Sequence, residues 1–277
     1  MNIVVALKLV LVPLLVAGVT LVGRRWGPSV GGWMSAFPIL SAPILFFIVL
    51  QHGAMFAADA TVGTLSAVLA NVAFGVGYAW GATRFSWPLS LGVAFVGYFS
   101  AVACLVLWAP TLYLAAPVVL AALFLAPRLY PSRLPLAQTF SKPANDIYWR
   151  MGAGVLLVLL VTEFSFSLGP RLSGSLAMFP VMASVLVVFS HRQSGPDYAV
   201  RLLRGMVLGY YAFSIFCIVL SLTLPATSIG LAFLVSLSCA VLAQAISRIE
   251  LLRAHRLQAE DALPQASPVS LRRRRTT

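Results

Sequence analysis

The chain has 277 residues, of which 60% are hydrophobic and only 9% are charged, and its mean hydropathy is +0.95. Soluble domains have about a quarter of their residues charged, so this composition excludes a water-soluble globular fold. The net charge of +12 comes largely from arginines in polar connections and in the C-terminal tail, which favours membrane orientation over nucleic-acid binding. We therefore expect an all-α, polytopic integral membrane protein of the bacterial inner membrane.

Nine apolar segments approach the length that spans a membrane, about 17–25 residues. In chain order they are 3–22, 29–50, 58–81, 88–108, 111–127, 149–168, 172–190, 202–224 and 227–246. A polar segment with three prolines separates the fifth from the sixth, and the chain ends in a run of four arginines. The predicted organisation is a first membrane repeat with one extra helix, a cytoplasmic linker, a second membrane repeat and a basic cytoplasmic tail, over residues 1–127, 128–148, 149–246 and 247–277.

The sequence repeats itself once at an offset of 142 positions. Between 14 and 80, 17 of 67 residues are identical to the residue 142 positions later. The matches include Gly27-Pro28 with Gly169-Pro170, Phe37-Pro38 with Phe179-Pro180, and Gly53 and Gly63 with Gly195 and Gly205. Glycine and proline set backbone geometry, so two halves of similar architecture are predicted, as in many transporters.

The basic residues agree with one orientation, in which the N-terminus is outside and the C-terminus is cytoplasmic. Arg24 and Arg25 precede the first Gly-Pro, whereas no basic residue directly precedes the second. Arg201 and Arg204 follow the seventh segment, whereas the loop after the second segment carries no Lys or Arg. We therefore predict two inverted repeats, with 111–127 as the inverting helix, and expect the four arginines to set topology and contact lipid headgroups.

The second repeat contains Gly169-Pro170, Gly174, Phe179-Pro180, His191 and Gly195, and then Arg201-x-x-Arg204-Gly205-x-x-x-Gly209. This pattern resembles the GlpM-like family of small bacterial inner-membrane proteins, which are about one repeat long and are linked by name to alginate production. The resemblance covers 150–222 well and 14–80 weakly, because the first copy lacks the two arginines. It implies a fused, antiparallel version of a pair of single repeats.

Two Phe-Pro pairs are the first candidate site. Phe37-Pro38 and Phe179-Pro180 fall about ten residues into the second and seventh segments, near the predicted bilayer centre. Proline removes a helical hydrogen bond, and in lipid the freed carbonyl must be satisfied by protein or by a water-filled cavity. The functional interpretation is a pair of broken helices that line a solute site, and the alternative is a pair of packing kinks.

Four polar residues within apolar segments are further candidates. Glu163 is an intramembrane carboxylate and a candidate coupling residue for a proton or a cation, although it could instead reach the external interface. Thr20 and Thr162 occupy equivalent positions, and Asn71 lies in the third segment. Each could line a solute pathway or serve only in helix packing.

No phosphate loop, metal-ligand spacing or nucleophile motif is present, so the sequence predicts no enzyme, no metal and no cofactor. The first functional hypothesis is a secondary transporter or exporter of an unidentified small solute. The alternative is a non-catalytic accessory or scaffold protein of an envelope or exopolysaccharide pathway. Membrane lipids are the expected partners, nucleic acid is not expected, and association with further copies of the chain stays open.

Overall fold

The computed structural model describes residues 3–39, 41–131, 146–167 and 179–261, and side chains within 9–39, 41–131, 146–161 and 179–249. The described residues form helices joined by short turns, which confirms the all-α prediction for this part of the chain. The helices are α1 (Ile3–Trp26), α2 (Pro28–Ser35), α3 (Ser41–His52), α4 (Ala54–Ala82), α5 (Trp87–Trp108), α6 (Leu112–Leu129), α7 (Ile147–Ser167), α8 (Val181–Thr223) and α9 (Ile229–Asp261).

Six described helical stretches are long and apolar enough to cross a membrane, and the chain is therefore a multi-pass membrane protein. They are Leu9–Trp26, Ala54–Ala82, Trp87–Trp108, Leu112–Leu129, Val181–Thr223 and Ile229–Ile249. The second predicted segment is divided into two short helices, α2 and α3. The seventh and eighth predicted segments are joined in α8, and the start of the seventh, at 172–178, lies outside the described residues.

Two glycines break the helices at positions that the 142-residue offset aligns. Gly53, between α3 and α4, has φ 84° and ψ 169°. Gly195, inside α8, has φ 83° and ψ 174°, so that α8 consists of two helical parts, 181–194 and 196–223. A side chain at either position would be strained, because L-residues rarely adopt this φ. The same offset relates the first residue of α5, Trp87, to that of α9, Ile229.

Two of the helix pairs that this offset aligns pack against each other in antiparallel orientation. Arg24 near the end of α1 is paired with Asp146 at the start of α7, whereas Val12 and Val16 lie against Gly154, further along α7. The second pair is α4 with the second part of α8. There the Ser221 hydroxyl donates to the carbonyl of Ala58 (3.3 Å), near the start of α4. Towards the other end of α4, Gly75 lies beside Leu203.

One end of the bundle, called the basic end here, contains the ends of α1, α4 and α6, the starts of α5 and α7, and Gly195. Cross-helix hydrogen bonds join these elements: Tyr198 to the Gly23 carbonyl (3.1 Å), Trp80 to the Leu129 carbonyl (2.8 Å) and Tyr78 to His191 (3.0 Å). Towards this end lie all the described arginine side chains, Arg24, Arg25, Arg84, Arg128, Arg150, Arg192, Arg201, Arg204 and Arg248. The opposite end, with the α3–α4, α5–α6 and α8–α9 turns, has none among the described residues.

Helix α2 packs on the second part of α8 with almost no side chain between the two backbones. Gly32 lies on the carbonyl of Leu202, Gly205 on that of Ser29, and Gly209 on that of Trp33. A Cβ atom at any of these three glycines would overlap the facing carbonyl oxygen. Small residues at membrane-helix interfaces permit such close approach, as the sequence around Gly205 and Gly209 predicts.

This contact predicts the effect of adding one methyl group. We expect Gly205→Ala to lower the free energy of unfolding by roughly 1–3 kcal/mol, because α2 and α8 must separate to accommodate it. Thermal unfolding of the purified protein in detergent measures the effect. Gly152→Ala in α7 is the matched control, since no described atom lies within 4 Å of its added Cβ. Equal stability of both variants would contradict the close contact.

Candidate functional site

A cavity of about 920 Å³ lies between the two Phe-Pro breaks. Phe37 contributes to its lining from the first break, and Phe179 and Pro180 from the second. From there the cavity extends towards the opposite end of the bundle, where it is lined by the first turns of α4, including Asp59, and by residues of the α5–α6 and α8–α9 connections. Its volume is within the range of small-molecule sites, about 300–1,000 Å³.

The two breaks have the same backbone hydrogen bonds. The N–H of Ile39 donates to the Phe37 carbonyl (2.8 Å), and the N–H of Val181 donates to the Phe179 carbonyl (2.7 Å). Each is a three-residue turn centred on proline, and Pro180 has the φ of −76° and ψ of 56° typical of an inverse γ-turn. The carbonyls of Phe37 and Phe179 are therefore satisfied inside the breaks, as hydrocarbon surroundings require.

Aromatic contacts hold the second break in place. The ring of Phe179 stacks on Phe95 with 5.3 Å between centroids and meets Tyr98 edge-on at 5.7 Å. Both partners belong to α5, and Tyr98 is fully buried. Offset-stacked and edge-to-face pairs of this kind stabilise by about 0.5–1.5 kcal/mol each beyond the area they bury. The start of α8 is thereby fixed against the first half of the chain.

The hydroxyl and amide groups in the cavity wall mostly bond to their own helices. Thr64 and Ser66 donate to carbonyls four residues earlier (both 2.9 Å), and the Asn71 amide does the same (3.2 Å). Asp59 differs from them, since its carboxylate is exposed and has no hydrogen bond or ion pair with any described residue. Among the described lining residues it is the only charged one. The wall is otherwise largely apolar.

The structure brings four of the predicted site residues together, since Phe37, Phe179, Pro180 and Asn71 all line the cavity. Pro38 is buried at the first break, and Thr20 is buried in α1 with no described partner for its hydroxyl. Neither is part of the described lining. Thr162 and Glu163 belong to the helical backbone of α7, but their side chains lie outside the described residues, so their roles stay predictions.

A buried ionic network joins α1, α7 and α8 at the basic end. The Asp146 carboxylate accepts hydrogen bonds from Arg24, from Arg150 (2.7 Å) and from the Gln193 amide. Arg150 also donates to the Gln193 side-chain oxygen (2.9 Å). Asp146 is 7% exposed and Arg150 is 4% exposed. The Gln193 amide thus bridges Asp146 and Arg150, so that the carboxylate and the guanidinium are both held by a third group.

The other predicted topology residues also have protein partners. Arg201 pairs with Asp197 one helical turn earlier, near the surface, and Arg25 lies over the ring of Trp26. Arg204 donates to the carbonyl of Pro131 (2.7 Å) and lies over the ring of Tyr130. Burial raises the pKa of the Tyr130 phenol, which therefore stays neutral. These contacts leave less of Arg204 available to lipid headgroups than the sequence predicted.

Sequence reasoning missed Asp146 and Arg150, because it placed Asp146 in the linker and did not consider Arg150. Their spacing of four residues at the start of a helix was the available signal, since such residues are neighbours on one face. Gln193 matches Gln51 at the 142-residue offset, and that match by itself indicates no part in an ionic network. Among the described residues no group of three or more His, Cys, Asp or Glu side chains is placed to hold a metal.

A scan against protein-family models, a search of curated proteins and a search of solved structures each find no match to this chain. Its class therefore rests on the fold and on the site alone. They define a helical, multi-pass membrane protein with a central cavity between two proline-broken helices and an ionic network at one end.

The network predicts unequal effects for two aspartates. We expect Asp146→Asn to lower the free energy of unfolding by roughly 3–5 kcal/mol, because the buried Arg150 loses its counter-charge. Asp197→Asn, which breaks the more exposed pair with Arg201, is the matched control and should cost about 0–1 kcal/mol. Denaturant unfolding in mixed micelles measures both. Similar losses for the two variants would show that the Asp146 network contributes no more than a surface pair.

Proposed function

We propose that this protein is a secondary transporter of small solutes, in which two inverted repeats alternate access to the cavity. In this proposal the basic end faces the bacterial cytoplasm and the opposite end faces outward. The antiparallel packing of α1 with α7, and of α4 with the second part of α8, supports the inverted relation. Gly53 and Gly195 have the same backbone conformation, and the two Phe-Pro breaks have the same hydrogen bonds. Both likenesses support the repeat. The resemblance to the GlpM-like family stays a prediction.

One comparison carries the proposal, that of Gly205 with Gly63, its equivalent in the first repeat. Gly205 is buried under α2, with the carbonyl of Ser29 where a Cβ atom would be. Gly63 lines the cavity, and no described atom lies within 4 Å of its added Cβ. Among the described residues, therefore, the position in the second repeat is covered and its equivalent in the first is uncovered, while 170–177, which the offset aligns with α2, lies outside the described residues. Inverted repeats that exchange conformations would convert a cavity open at one end into a cavity open at the other.

The closed side is the basic end. Between the cavity and that end, α2 and α8 meet through the contacts of Gly32, Gly205 and Gly209. The Asp146 network then ties α1 to α7 and α8. Opening towards the basic end would have to separate both sets of contacts. A solute can favour that change only by binding the two states with different affinity.

The proposal predicts that a larger side chain at position 63 traps the described state. We expect Gly63→Val to fold normally, since no described atom lies within 4 Å of its added Cβ, and to block the exchanged state, in which position 63 would be packed as Gly205 is now. The readout is modification of Met206→Cys, which is buried beside the α2–α8 contact and lines the cavity, in a background without Cys104, Cys217 and Cys239.

A small, charged thiol reagent should modify Met206→Cys from the opposite end in right-side-out vesicles and from the basic end in inside-out vesicles. With Gly63→Val, only the modification from the basic end should disappear. Gly92→Val is the matched control, because Gly92 is also open and its equivalent, Leu234, is exposed. It should preserve both reactions. Modification from one side only, in the chain with glycine at 63, would contradict alternation and favour the accessory role.

The orientation is tested separately with two exposed positions at opposite ends. Met55→Cys lies in the first turn of α4, and Ser86→Cys lies between α4 and α5 at the basic end. In intact cells a membrane-impermeant thiol reagent should label Met55→Cys and leave Ser86→Cys unmodified, because positive residues are retained on the cytoplasmic side. The reverse pattern would overturn the proposed orientation, and labelling of both would place the two ends on the same side.

A further inference from the structure

The described residues that line the cavity carry one sign of charge. Asp59 is exposed at its outer part, and no Lys, Arg or His is among the described residues that line it. All the described arginines lie towards the other end of the bundle, beyond the α2–α8 contact. Position 201, which the offset aligns with Asp59, carries an arginine instead. At this aligned position the first repeat therefore has a carboxylate, which lines the cavity, and the second repeat has a guanidinium.

Aromatic rings are a second, independent reason to expect the cavity to bind cations. Five rings from four different parts of the chain line the cavity: Phe37, Phe56, Phe179, Tyr210 and Phe213. The face of an aromatic ring attracts cations, and the attraction grows when the site excludes water. The same rings form an apolar wall with the aliphatic residues between them. A solute that uses this wall must bury apolar surface and satisfy few hydrogen bonds.

The first turns of α3 and α8 also reach the cavity, and helix N-termini attract anions. At both breaks, however, part of that potential is already satisfied. The N–H of Ala42 donates to the Pro38 carbonyl (3.0 Å), and the N–H of Ser184 donates to the Pro180 carbonyl (2.8 Å). At the first break the C-terminus of α2 also lies nearby, and its partial negative charge of about one half opposes the positive N-terminus of α3. The attraction of cations by the full charge of Asp59 and by the aromatic rings therefore outweighs the attraction of anions by the helix N-termini.

We infer that the solute class is an organic cation with an apolar body, which the aromatic walls bind and the Asp59 carboxylate attracts at the mouth. The inference rests on the proposed transport function, since it names the class of solute for the same cavity. An inorganic cation fits less well, because the hydroxyl and amide groups of the wall bond mostly to their own helices and few oxygen ligands are left.

Tetraphenylphosphonium and tetraphenylborate test the inference, because they have nearly the same shape and opposite charge. Binding of each is measured by titration of the purified full-length protein in detergent, with empty micelles subtracted. We expect saturable binding of the phosphonium at least about tenfold tighter than of the borate. Equal affinity, tighter binding of the borate, or no saturable binding of the phosphonium would overturn the inference.

Asp59→Asn should weaken phosphonium binding about tenfold and leave borate binding unchanged or slightly tighter. Asp197→Asn removes the same charge at the basic end and is the matched control, with both affinities unchanged. An unchanged phosphonium affinity in Asp59→Asn would remove Asp59 from the site. If the phosphonium fails to bind while Met206→Cys is still modified from both ends, the solute class is wrong and the transport proposal survives.

Discussion

Backbone hydrogen bonding in hydrocarbon constrains this structure more than any single side chain does. A chain that crosses a bilayer cannot leave N–H or C=O groups without partners, so each interruption of a helix must be satisfied internally. The two Phe-Pro breaks meet that requirement with the same pair of short hydrogen bonds in each half. The breaks can therefore lie beside a cavity instead of against lipid. The cavity in turn exists because α2 and α3, and the start of α8, do not continue as straight helices.

Glycine determines which side of the cavity is closed. Where α2 meets α8, three glycines allow the two backbones to touch. This contact leaves no space for a passage between the two helices. On the other side no described residue covers the equivalent glycine, Gly63. The same residue type at equivalent positions therefore has two different environments within one chain. This asymmetry gives a physical basis for exchange between two conformations, because neither environment requires a residue that the other half lacks.

Charge follows the same division. The described arginines lie towards one end, where some pair with Asp146 or Asp197 and Arg204 donates to a backbone carbonyl. The described lining of the cavity contains only Asp59 as a charged group. A buried network such as that of Asp146 contributes less to net stability than its number of hydrogen bonds implies, since desolvation offsets much of the attraction. Its effect is instead specific, because it holds α1, α7 and α8 in one arrangement. Cations approaching the cavity meet none of this positive charge.

The sequence by itself determined the helical membrane class, the approximate helices and the positions of the breaks. Hydropathy, proline and glycine act locally, so Phe37-Pro38, Phe179-Pro180, Gly53 and Gly195 could be recognised without knowing any neighbour. The separation of charge between the two ends was also visible, because loop arginines determine topology.

Only the tertiary structure decided which residues meet. Asp146 was assigned to a linker, although it is buried between Arg24 and Arg150, since nothing in a single sequence says that the start of α7 lies against the end of α1. Thr20 was grouped with the candidate site, yet it lies outside the described lining of the cavity. The difference between Gly63 and Gly205 was equally invisible, because identical residues in a repeat carry identical local signals. Among the described residues their environments differ only through long-range packing, which brings α2 onto Gly205 and no described segment onto Gly63.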